Sequence, residues 1–312
     1  MLENPLLVIL GPTASGKTNL AVRLAAEFGA EIISADSRQV FKGMDIGTGK
    51  DLGAYVFKGR TVPYHLIDIK DAGEKYNVNE FKEDFYKVFE NLTGRNIMPI
   101  LCGGSGMYIH SVLQDQPFTA VPVNEELRSN LQMLTKEELI LRLRAYPLAS
   151  VQHADQSSHK RMIRAIEIGE YLSRHELVAE ERPIINPFVV GLTSDITLRR
   201  EKVIRRLEAR FEEGLIAEVK TLLDSGVSKE ILEFYGLEYK FISAYLFDEM
   251  TLAELKERLS IAICQFAKRQ MTFFRKMEKD GVKIHWFDSS LDADDLSVVI
   301  TDSFNRHLQG VD

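Results

Sequence analysis

The stretch Gly11-Pro12-Thr13-Ala14-Ser15-Gly16-Lys17-Thr18 decides the fold of this chain. It follows an apolar run at residues 6–10 and precedes an amphipathic run at residues 19–28, so the order is strand, glycine-rich loop and helix. The spacing G-x-x-x-x-G-K-T is typical of a loop that binds phosphate through backbone N–H groups. Lys17 supplies a mobile charge, and the Thr18 hydroxyl can bind Mg²⁺ that bridges phosphate oxygens. The stretch predicts a phosphate site with Mg²⁺ as cofactor but leaves open which compound it holds.

Strand-like and helix-like runs alternate on both sides of this loop. The strand-like runs are residues 6–10, 31–34, 64–69 and 97–102, and the helix-like runs are 19–28, 78–93 and 106–113. Further strands are predicted at residues 188–192 and 283–287. Such alternation is typical of a parallel sheet covered on both faces. We therefore predict an α/β fold, a P-loop NTPase-like parallel sheet flanked by helices.

The pattern changes after residue 116. Pro117 and Pro122 mark a linker, every run between residues 124 and 175 looks helical, and a second linker at residues 181–187 leads back to a strand. This predicts an inserted all-helical subdomain at residues 117–183 within a core formed by residues 1–116 and 184–312. Later helices are predicted at residues 197–213, 216–225 and 252–279, whereas residues 230–246 look less regular.

Composition limits the classes of protein. The net charge of the whole chain is −7, which argues against a nucleic-acid partner. However, basic residues cluster at 159–164, 199–210 and 268–279. Each cluster alone is more typical of a solvated helix face. The start lacks a basic region and no apolar run reaches membrane-spanning length, so we expect neither a signal peptide nor a membrane partner. The two cysteines, Cys102 and Cys264, suit a reducing, cytoplasmic location.

The residues Asp36, Ser37, Arg38 and Gln39 follow the second predicted strand. Ligands of open parallel sheets bind beyond the carboxyl ends of the strands, so Asp36 should lie near the bound phosphate. A carboxylate there can accept a proton or hold Mg²⁺ through water. Asp36 could equally cap the following turn, and the residues alone leave both interpretations open.

Two further glycine-rich stretches follow. Residues 43–50, G-M-D-I-G-T-G-K, could form a second phosphate loop, but they lack the strand-then-helix context and are more typical of a mobile substrate loop. Residues 103–106, G-G-S-G, follow the fourth strand, where glycines indicate close approach of a ligand or a neighbouring helix. We favour the ligand, because this strand end should lie beside the first loop.

Polar residues on two predicted helices allow several interpretations. Arg161, Arg164 and Glu167 repeat at three-residue spacing, which fits an internal ion-pair ladder as well as a binding face. His153, Asp155 and His159 weakly suggest a metal site. On the late helix, bases flank Phe266, Phe273 and Phe274, which suits stacking on unpaired nucleotides, although such phenylalanines are more often core.

The motifs together resemble one family. In order, they are GPTASGKT, ADSRQVFKGMDIGTGK, VPYHLIDI, ILCGGSGMYI, HKRMIRAIEI and AKRQMTFFR. This order is similar to that of the tRNA dimethylallyltransferases, also called tRNA isopentenyltransferases, over nearly the whole chain. The resemblance implies transfer of a dimethylallyl group from dimethylallyl diphosphate to the exocyclic amine of the adenosine beside the tRNA anticodon. Diphosphate is released and no ATP is consumed.

The resemblance also implies roles for individual residues. Asp36 would be the catalytic base, assisted by Lys17 and Thr18. The diphosphate would be bound by residues 11–18, namely Gly11, Pro12, Thr13, Ala14, Ser15, Gly16, Lys17 and Thr18, together with Lys202 and Arg206. The tRNA anticodon stem-loop would be bound by Asp36, Ser37, Arg38, Gln39, Ser105, Arg128, Lys160, Arg161, Met162, Ile163, Arg164, Lys268 and Arg269. The subdomain at residues 117–183 would be a tRNA-binding subdomain, and we expect a monomer.

The chain departs from the family pattern at several positions. An R-I-x-x-R pattern places Lys202 and Arg206 at its two arginines, although a shift of register would recruit Arg199 or Arg205. A Lys keeps the charge but loses the bidentate fork. The usual T-R-Q-Y run begins Ile263-Cys264 here, and the usual G-Y-K/R run reads Gly236-Leu237-Glu238. These departures bear on the RNA side more than on the diphosphate side.

Other functions compete with this hypothesis. A related prenyltransferase could act on free adenine nucleotide, a small-molecule or nucleotide kinase would bind and turn over ATP, and a non-catalytic RNA-binding protein could keep the fold. The helical insert and the basic late helix favour tRNA over free nucleotide. Intact Lys17, Thr18 and Asp36 argue against a non-catalytic protein.

Overall fold

The structure is a computed structural model that describes residues 3–114, 116–147, 151, 156–177 and 181–310. Its internal contacts divide the chain into two compact units. The first comprises Met1–Gln114 and Pro183–Asp312, and the second comprises Asp115–Arg182. The boundaries expected from the sequence, after residues 116 and 183, lie within two residues of these. Among the described residues, no helix combines the length and apolar character that crossing a membrane requires.

A six-stranded sheet with the order β5-β2-β6-β1-β7-β8 forms the centre of the first unit. Its strands are β1 (Pro5–Leu10), β2 (Glu31–Ser34), β5 (Tyr64–His65), β6 (Pro99–Gly103), β7 (Asn186–Thr193) and β8 (Ile284–Asp288). All of them are parallel, and β1 pairs with β6 on one side (Leu7↔Ile100) and with β7 on the other (Val8↔Val189). The predicted α/β class is therefore confirmed.

Helices cover both faces of this sheet. They are α1 (Lys17–Phe28), α2 (Val78–Gly94), α3 (Gly106–Leu113), α7 (Ile196–Glu213), α8 (Leu215–Asp224), α9 (Lys229–Tyr235), α10 (Leu237–Leu246), α11 (Leu252–Lys279) and α12 (Ala293–Leu308). Alternate residues of β1 enter opposite cores, Leu6 and Val8 with α2, α3 and α7–α11, and Leu7 and Ile9 with α1 and α12. Burial on both faces explains why β1 reads as a continuous apolar run.

Two local predictions were wrong. The strand expected at residues 64–69 ends at His65, because Leu66 and Asp68 have left-handed backbone angles (φ 60° and 56°) that an extended strand does not allow. Residues 230–246, which look irregular in the sequence, form α9 and α10. A small antiparallel hairpin of β3 (Val56–Phe57) and β4 (Arg60–Thr61) was not predicted.

The described part of the second unit is helical. It contains α4 (Glu125–Gln132), α5 (Lys136–Leu143) and α6 (His159–Leu172). Thr135 and Glu138 form a reciprocal capping box at the start of α5. Leu131, Leu139 and Ile166 are buried together with neighbouring apolar side chains, so these helices share a small core of their own.

Candidate active site

A cavity of about 370 Å³ opens at the carboxyl ends of the central strands. Its wall combines the loop after β1, the turn after β2, the glycine run after β6 and parts of α7, α9, α10 and α11. Of the residues assigned a role from the sequence, those that line it are Thr13, Lys17, Thr18, Asp36, Ser37, Arg38, Gln39, Ser105, Arg206 and Arg269. The topology therefore brings together residues more than 200 positions apart.

The first glycine loop is folded as an anion cradle. Gly16 adopts a left-handed conformation (φ 80°) at the start of α1, which places the helix N-terminus at the cavity. Within the described chain, no acceptor is found for the N–H groups of Gly16, Lys17 or Thr18. Such N–H groups at a helix N-terminus, with the positive end of the helix dipole behind them, favour a bound phosphate.

Lys17 places a positive charge inside this cradle. Its Nζ reaches only the carbonyl oxygen of Pro12, at 3.4 Å, and no described carboxylate lies within salt-bridge distance. Burial lowers the pKa of Lys17, although the nearby Asp36 carboxylate favours the charged form. Burial also raises the pKa of the Cys102 thiol to about 12, so this cysteine stays protonated and unreactive at neutral pH. Among the described residues, Lys17 therefore has a carboxylate nearby, Asp36, but none within salt-bridge distance.

Asp36 both holds the turn after β2 and lines the cavity. Its Oδ1 accepts a hydrogen bond from the N–H of Arg38 at 3.0 Å, which holds the turn. The carboxylate also lies in the cavity, close enough to Lys17 and Arg206 to affect their pKa values. Next to it, Ser105 Oγ accepts from the N–H of Ser37 at 2.9 Å, so the turn after β2 is tied to the glycine run after β6.

Arg206 and Arg210 supply positive charge from α7. Burial, and then the neighbouring Arg210, lowers the pKa of Arg206 to about 10. Arg210 was missed, although it lies one turn after Arg206, on the same face of the predicted helix. It pairs with Glu238 at 3.1 Å, so the departure from the family's basic residue at position 238 provides a counterion.

The other candidates on α7 do not line the cavity. Lys202 is half-buried and faces the exposed Asp288 on β8, whose pKa is lowered mainly by hydrogen bonds from Ser290 and to a smaller extent by the Lys202 charge. Arg199 donates a hydrogen bond to the carbonyl oxygen of Ser194 at 2.6 Å, and Arg205 is exposed. Of the basic residues on α7, Arg206 and Arg210 are therefore the ones that line the cavity. Binding of diphosphate by Lys202 remains a prediction from the resemblance. The position of Lys202 outside the cavity lining does not support it.

The second glycine loop, residues 43–50, is held by protein groups. The Glu218 carboxylate accepts hydrogen bonds from the N–H groups of Asp45, Ile46 and Gly47 at 2.8, 2.6 and 2.9 Å. Lys50, whose side chain is 1% exposed, forms ion pairs with Asp45 and Asp68. A second phosphate loop is therefore excluded here, because the chain's own carboxylate already occupies these N–H groups.

The third glycine run approaches protein, which corrects our preference for a ligand. A β-carbon at Gly103 would lie 2.1 Å from the carbonyl oxygen of Ala35, and one at Gly106 would lie 2.4 Å from the ring of Phe273. Gln270 on α11 bridges this run and the first loop, donating to the Gly104 carbonyl oxygen at 2.8 Å and accepting from the Thr13 N–H at 2.9 Å. The glycines permit these contacts, although Gly103 and Gly104 also line the cavity.

The outer wall of the cavity carries aromatic and basic side chains. Phe234 is 59% exposed and Phe266 37% exposed, and the Arg269 guanidinium lies 5.9 Å from the centre of the Phe266 ring. Phe274 is fully buried in the core, whereas Lys268 is exposed and outside the cavity lining. Ile263, at one of the departures from the family pattern, contributes apolar surface to the wall.

In the second unit the ion-pair interpretation is confirmed. The carboxylate of Glu167, 1% exposed, pairs with Arg128 at 2.9 Å and with Arg164 at 2.7 Å. Burial alone would raise the pKa of Glu167, but these hydrogen bonds outweigh it and the net shift is downward. Met162 and Ile163 are buried in the helical core, so the expectation that their side chains bind tRNA is wrong. Lys160 and Arg161 are exposed.

The sequence suggests metal ligands at two places. His153 and Asp155 lie outside the described residues, and His159 Nε2 contacts the carbonyl oxygen of Leu134 at 2.9 Å. No group of three or more His, Cys, Asp or Glu side chains that could hold a metal occurs in the described part of the chain. In the cavity, Thr18 and Asp36 are hard oxygen donors, a set that fits a Mg²⁺ completed by water and substrate phosphate.

The fold and the site define a P-loop α/β protein with a lysine-containing phosphate cradle. A family model described as IPP transferase matches residues 39–277, and the chain belongs to this family. It is 50% identical over 290 residues to a protein named tRNA dimethylallyltransferase 1 of Parabacteroides distasonis, covering 93% of this chain and 94% of the relative. A protein of the same name from Syntrophus aciditrophicus is 46% identical over 289 residues, covering 92% of this chain and 94% of that protein.

Solved structures agree with this family. The full-length tRNA isopentenylpyrophosphate transferase of Bacillus halodurans aligns with a TM-score of 0.72 at 30% identity, over 99% of this chain and 98% of that one. A eukaryotic dimethylallyltransferase acting on tRNA aligns with a TM-score of 0.77 over 97% of this chain and 79% of that one. Its identity of 19% supports the fold alone. The predicted family and its enzymatic class are confirmed.

Proposed function

We propose that this protein transfers a dimethylallyl group from dimethylallyl diphosphate to the exocyclic amine of the adenosine adjacent to the tRNA anticodon, releasing diphosphate. The observation that carries the proposal is one cavity in which a cationic phosphate cradle faces a carboxylate. The curated relatives, similar over more than nine-tenths of the chain, carry the name of this activity.

The donor binds with its diphosphate in the first loop. The N–H groups of Gly16, Lys17 and Thr18 have no described protein acceptor, and Lys17 has no described carboxylate partner. Arg206 adds charge from α7. As the bond between carbon and diphosphate oxygen breaks, the bonding pair moves to that oxygen, and these donors stabilise the growing negative charge. Bound Mg²⁺, held by Thr18 with water and phosphate oxygens, would supply further positive charge there.

The acceptor amine attacks the carbon that the diphosphate leaves. The new C–N bond gives a cationic nitrogen, which must release one proton. Asp36, which lines the cavity next to the first loop, is the carboxylate that we assign to accept it. The balance is complete without ATP, since the leaving diphosphate provides the driving force.

The RNA side of the cavity is built from the outer wall. Exposed Phe234 and Phe266 suit stacking on unpaired bases, and Arg38 and Arg269 suit contacts with phosphates. An adenine must leave its stack to enter a cavity of this size. In the helical unit we assign tRNA contacts to Lys160 and Arg161, whereas Arg128 and Arg164 first serve the pair with Glu167. Lys268 lies at the surface of α11 and extends this basic character.

All groups given a catalytic role come from one chain, so we propose that a monomer is active. Because tRNA is the substrate, we place the protein in the cytoplasm. Prenyl transfer to AMP or ADP is the second candidate, since the cavity itself would also accept a nucleotide.

Transfer of label distinguishes these functions. The protein is incubated with Mg²⁺, labelled dimethylallyl diphosphate, and either unmodified tRNA, AMP or ADP; a parallel reaction contains ATP alone. We expect label in tRNA at the adenosine beside the anticodon. Label only in the nucleotide would establish the second candidate, and ATP turnover without prenyl transfer would establish a kinase instead.

A further inference from the structure

Glu218, on α8, uses its whole carboxylate to hold the second glycine loop. Oε2 accepts from the N–H groups of Asp45 and Ile46, and Oε1 accepts from the N–H of Gly47. Oε1 also accepts from the hydroxyl of Tyr239 at 2.8 Å. Consecutive backbone N–H groups form a concave anion site, and here that site binds an anion of the same chain.

The carbonyl groups of the same loop face the arginines of α7. The Gly49 oxygen accepts from Arg206 Nη2 at 3.3 Å and from Gln39 Nε2 at 3.4 Å. The Gly47 oxygen accepts from Arg210 Nη1 at 3.5 Å. Glu218 therefore binds N–H groups of the loop, while carbonyl oxygens of the same loop bind the guanidinium groups of Arg206 and Arg210.

The loop has little room to move relative to these arginines. A β-carbon at Gly49 would lie 1.8 Å from Arg210 Nη2 and 2.2 Å from Arg206 Nη2. A β-carbon at Gly47 would lie 2.6 Å from the ring of Tyr239. Arg206 has no carboxylate within salt-bridge distance in the described chain, so its orientation depends on the Gly49 oxygen.

We infer that Glu218 is a positioning residue for diphosphate binding. It holds residues 45–47 so that the Gly49 carbonyl directs Arg206 into the cavity. The inference rests on the proposed function, in which Arg206 binds the diphosphate. Glu218 itself lies outside the cavity lining. Its negative charge matters because three N–H groups converge on it, and an amide in its place would turn an N–H of its own toward one of them.

The test compares two variants with the same charge change on the same helix. Glu218→Gln removes the carboxylate, and Asp224→Asn changes an exposed residue at the end of α8. Binding of inorganic diphosphate and of tRNA is measured by calorimetry for each. We expect about tenfold weaker diphosphate binding for Glu218→Gln, comparable to one lost charge-assisted hydrogen bond. Asp224→Asn should match the wild type, and tRNA affinity should change less than twofold, on the order of experimental error.

A double-mutant cycle with Arg206→Gln separates positioning from general disturbance. If Glu218 acts through Arg206, adding Glu218→Gln to Arg206→Gln weakens diphosphate binding by less than about twofold. Full additivity of the two losses, or an unchanged affinity of Glu218→Gln, would overturn the inference. Should Glu218→Gln fail to fold, Tyr239→Phe removes one hydrogen bond from the same carboxylate. We then expect about threefold weaker binding, and wild-type affinity would overturn the inference equally.

The readout also distinguishes the two proposals. A protein that binds diphosphate with the predicted cycle but transfers no dimethylallyl group to tRNA would refute the proposed function and leave the positioning role intact. A protein that transfers the dimethylallyl group normally but shows additive losses of diphosphate affinity would support the proposed function and refute the positioning role of Glu218.

Discussion

Two stretches of this chain contain glycine followed by lysine, and the structure uses them in opposite ways. Lys17 in the first loop faces a cavity and has no described carboxylate within salt-bridge distance, whereas Lys50 in the second is buried between Asp45 and Asp68. The N–H groups of Gly16, Lys17 and Thr18 have no described acceptor, whereas three N–H groups of the second loop are bound by Glu218. Similar composition thus leaves hydrogen-bond donors without a described acceptor in one loop and gives them acceptors of the same chain in the other.

The difference shows that a loop can bind an anion only where the protein provides no acceptor or counterion of its own for the donors of that loop. Burying a cation without a counterion costs stability, which is why the pKa of Lys17 is lowered. That cost is recovered when a phosphate binds. In the second loop the N–H groups of residues 45–47 and the Lys50 ammonium already have acceptors, so an external anion would gain little there.

The largest effect should come from the carboxylate that faces the first loop. We expect Asp36→Asn to slow prenyl transfer about 1000-fold, because an amide cannot accept the amine proton. The turn should persist, since the amide oxygen can still accept from the N–H of Arg38. Single-turnover rates together with tRNA binding measure this, and a near-normal rate would remove Asp36 from its assigned role.

Replacing the two lysines tests the comparison directly. Lys17→Met should reduce transfer about 100-fold by removing a donor to the diphosphate, while the free energy of unfolding stays equal or rises. The penalty from its lowered pKa is present below that pKa and disappears as the pH rises to the ordinary value of 10.5, so any gain should be seen at neutral pH. Lys50→Met should lower the free energy of unfolding by about 2 kcal/mol.

The measurements for the lysine pair are chemical denaturation and donor affinity. The comparison fails if Lys50→Met binds the donor poorly while keeping full stability, or if Lys17→Met unfolds more readily than the wild type. Asp45 and Asp68 are partly exposed, which is why the expected loss at Lys50 is smaller than for a fully buried pair.

Replacing Gln270 tests whether its two hydrogen bonds support the first loop. Gln270→Ala leaves the Thr13 N–H and the Gly104 carbonyl without their partner, so we expect a loss of about 2 kcal/mol in the free energy of unfolding and weaker donor binding. Gln265→Ala, an exposed glutamine on the same helix, is the matched control and should stay within about 0.5 kcal/mol of the wild type. Equal stability of the two variants would contradict the bridging role.

The smallest expected effect comes from a pair of glycines within the second loop. Gly43 and Gly49 have similar left-handed angles (φ 69° and 66°), but only Gly49 lies against the arginines. Both alanine variants should lose about 1 kcal/mol of stability from backbone strain. Gly49→Ala should in addition bind diphosphate about tenfold more weakly, by displacing Arg206. Equal diphosphate affinities would show that the loop does not position that arginine.

Local pattern was enough to predict much of the fold and part of the site. The strand, loop and helix around residues 11–18, and the helical block after residue 116, were recognisable because their signals lie within short windows. Asp36 could be associated with the first loop because parallel strands end at the same edge. By contrast, Met162 and Ile163 were assigned to an RNA surface by position in a motif, and only packing showed them to be buried.

The sequence by itself determined the phosphate loop and the family, since both depend on residues that lie close together in the chain. Only the tertiary structure decided which glycine loop leaves N–H groups without a described acceptor, and so available to an external anion. That choice depends on Glu218 and Gln270, which lie more than 170 and 250 residues from the loop atoms they contact. No local signal marks such partners, because their role follows from the acceptor or donor that folding brings to them.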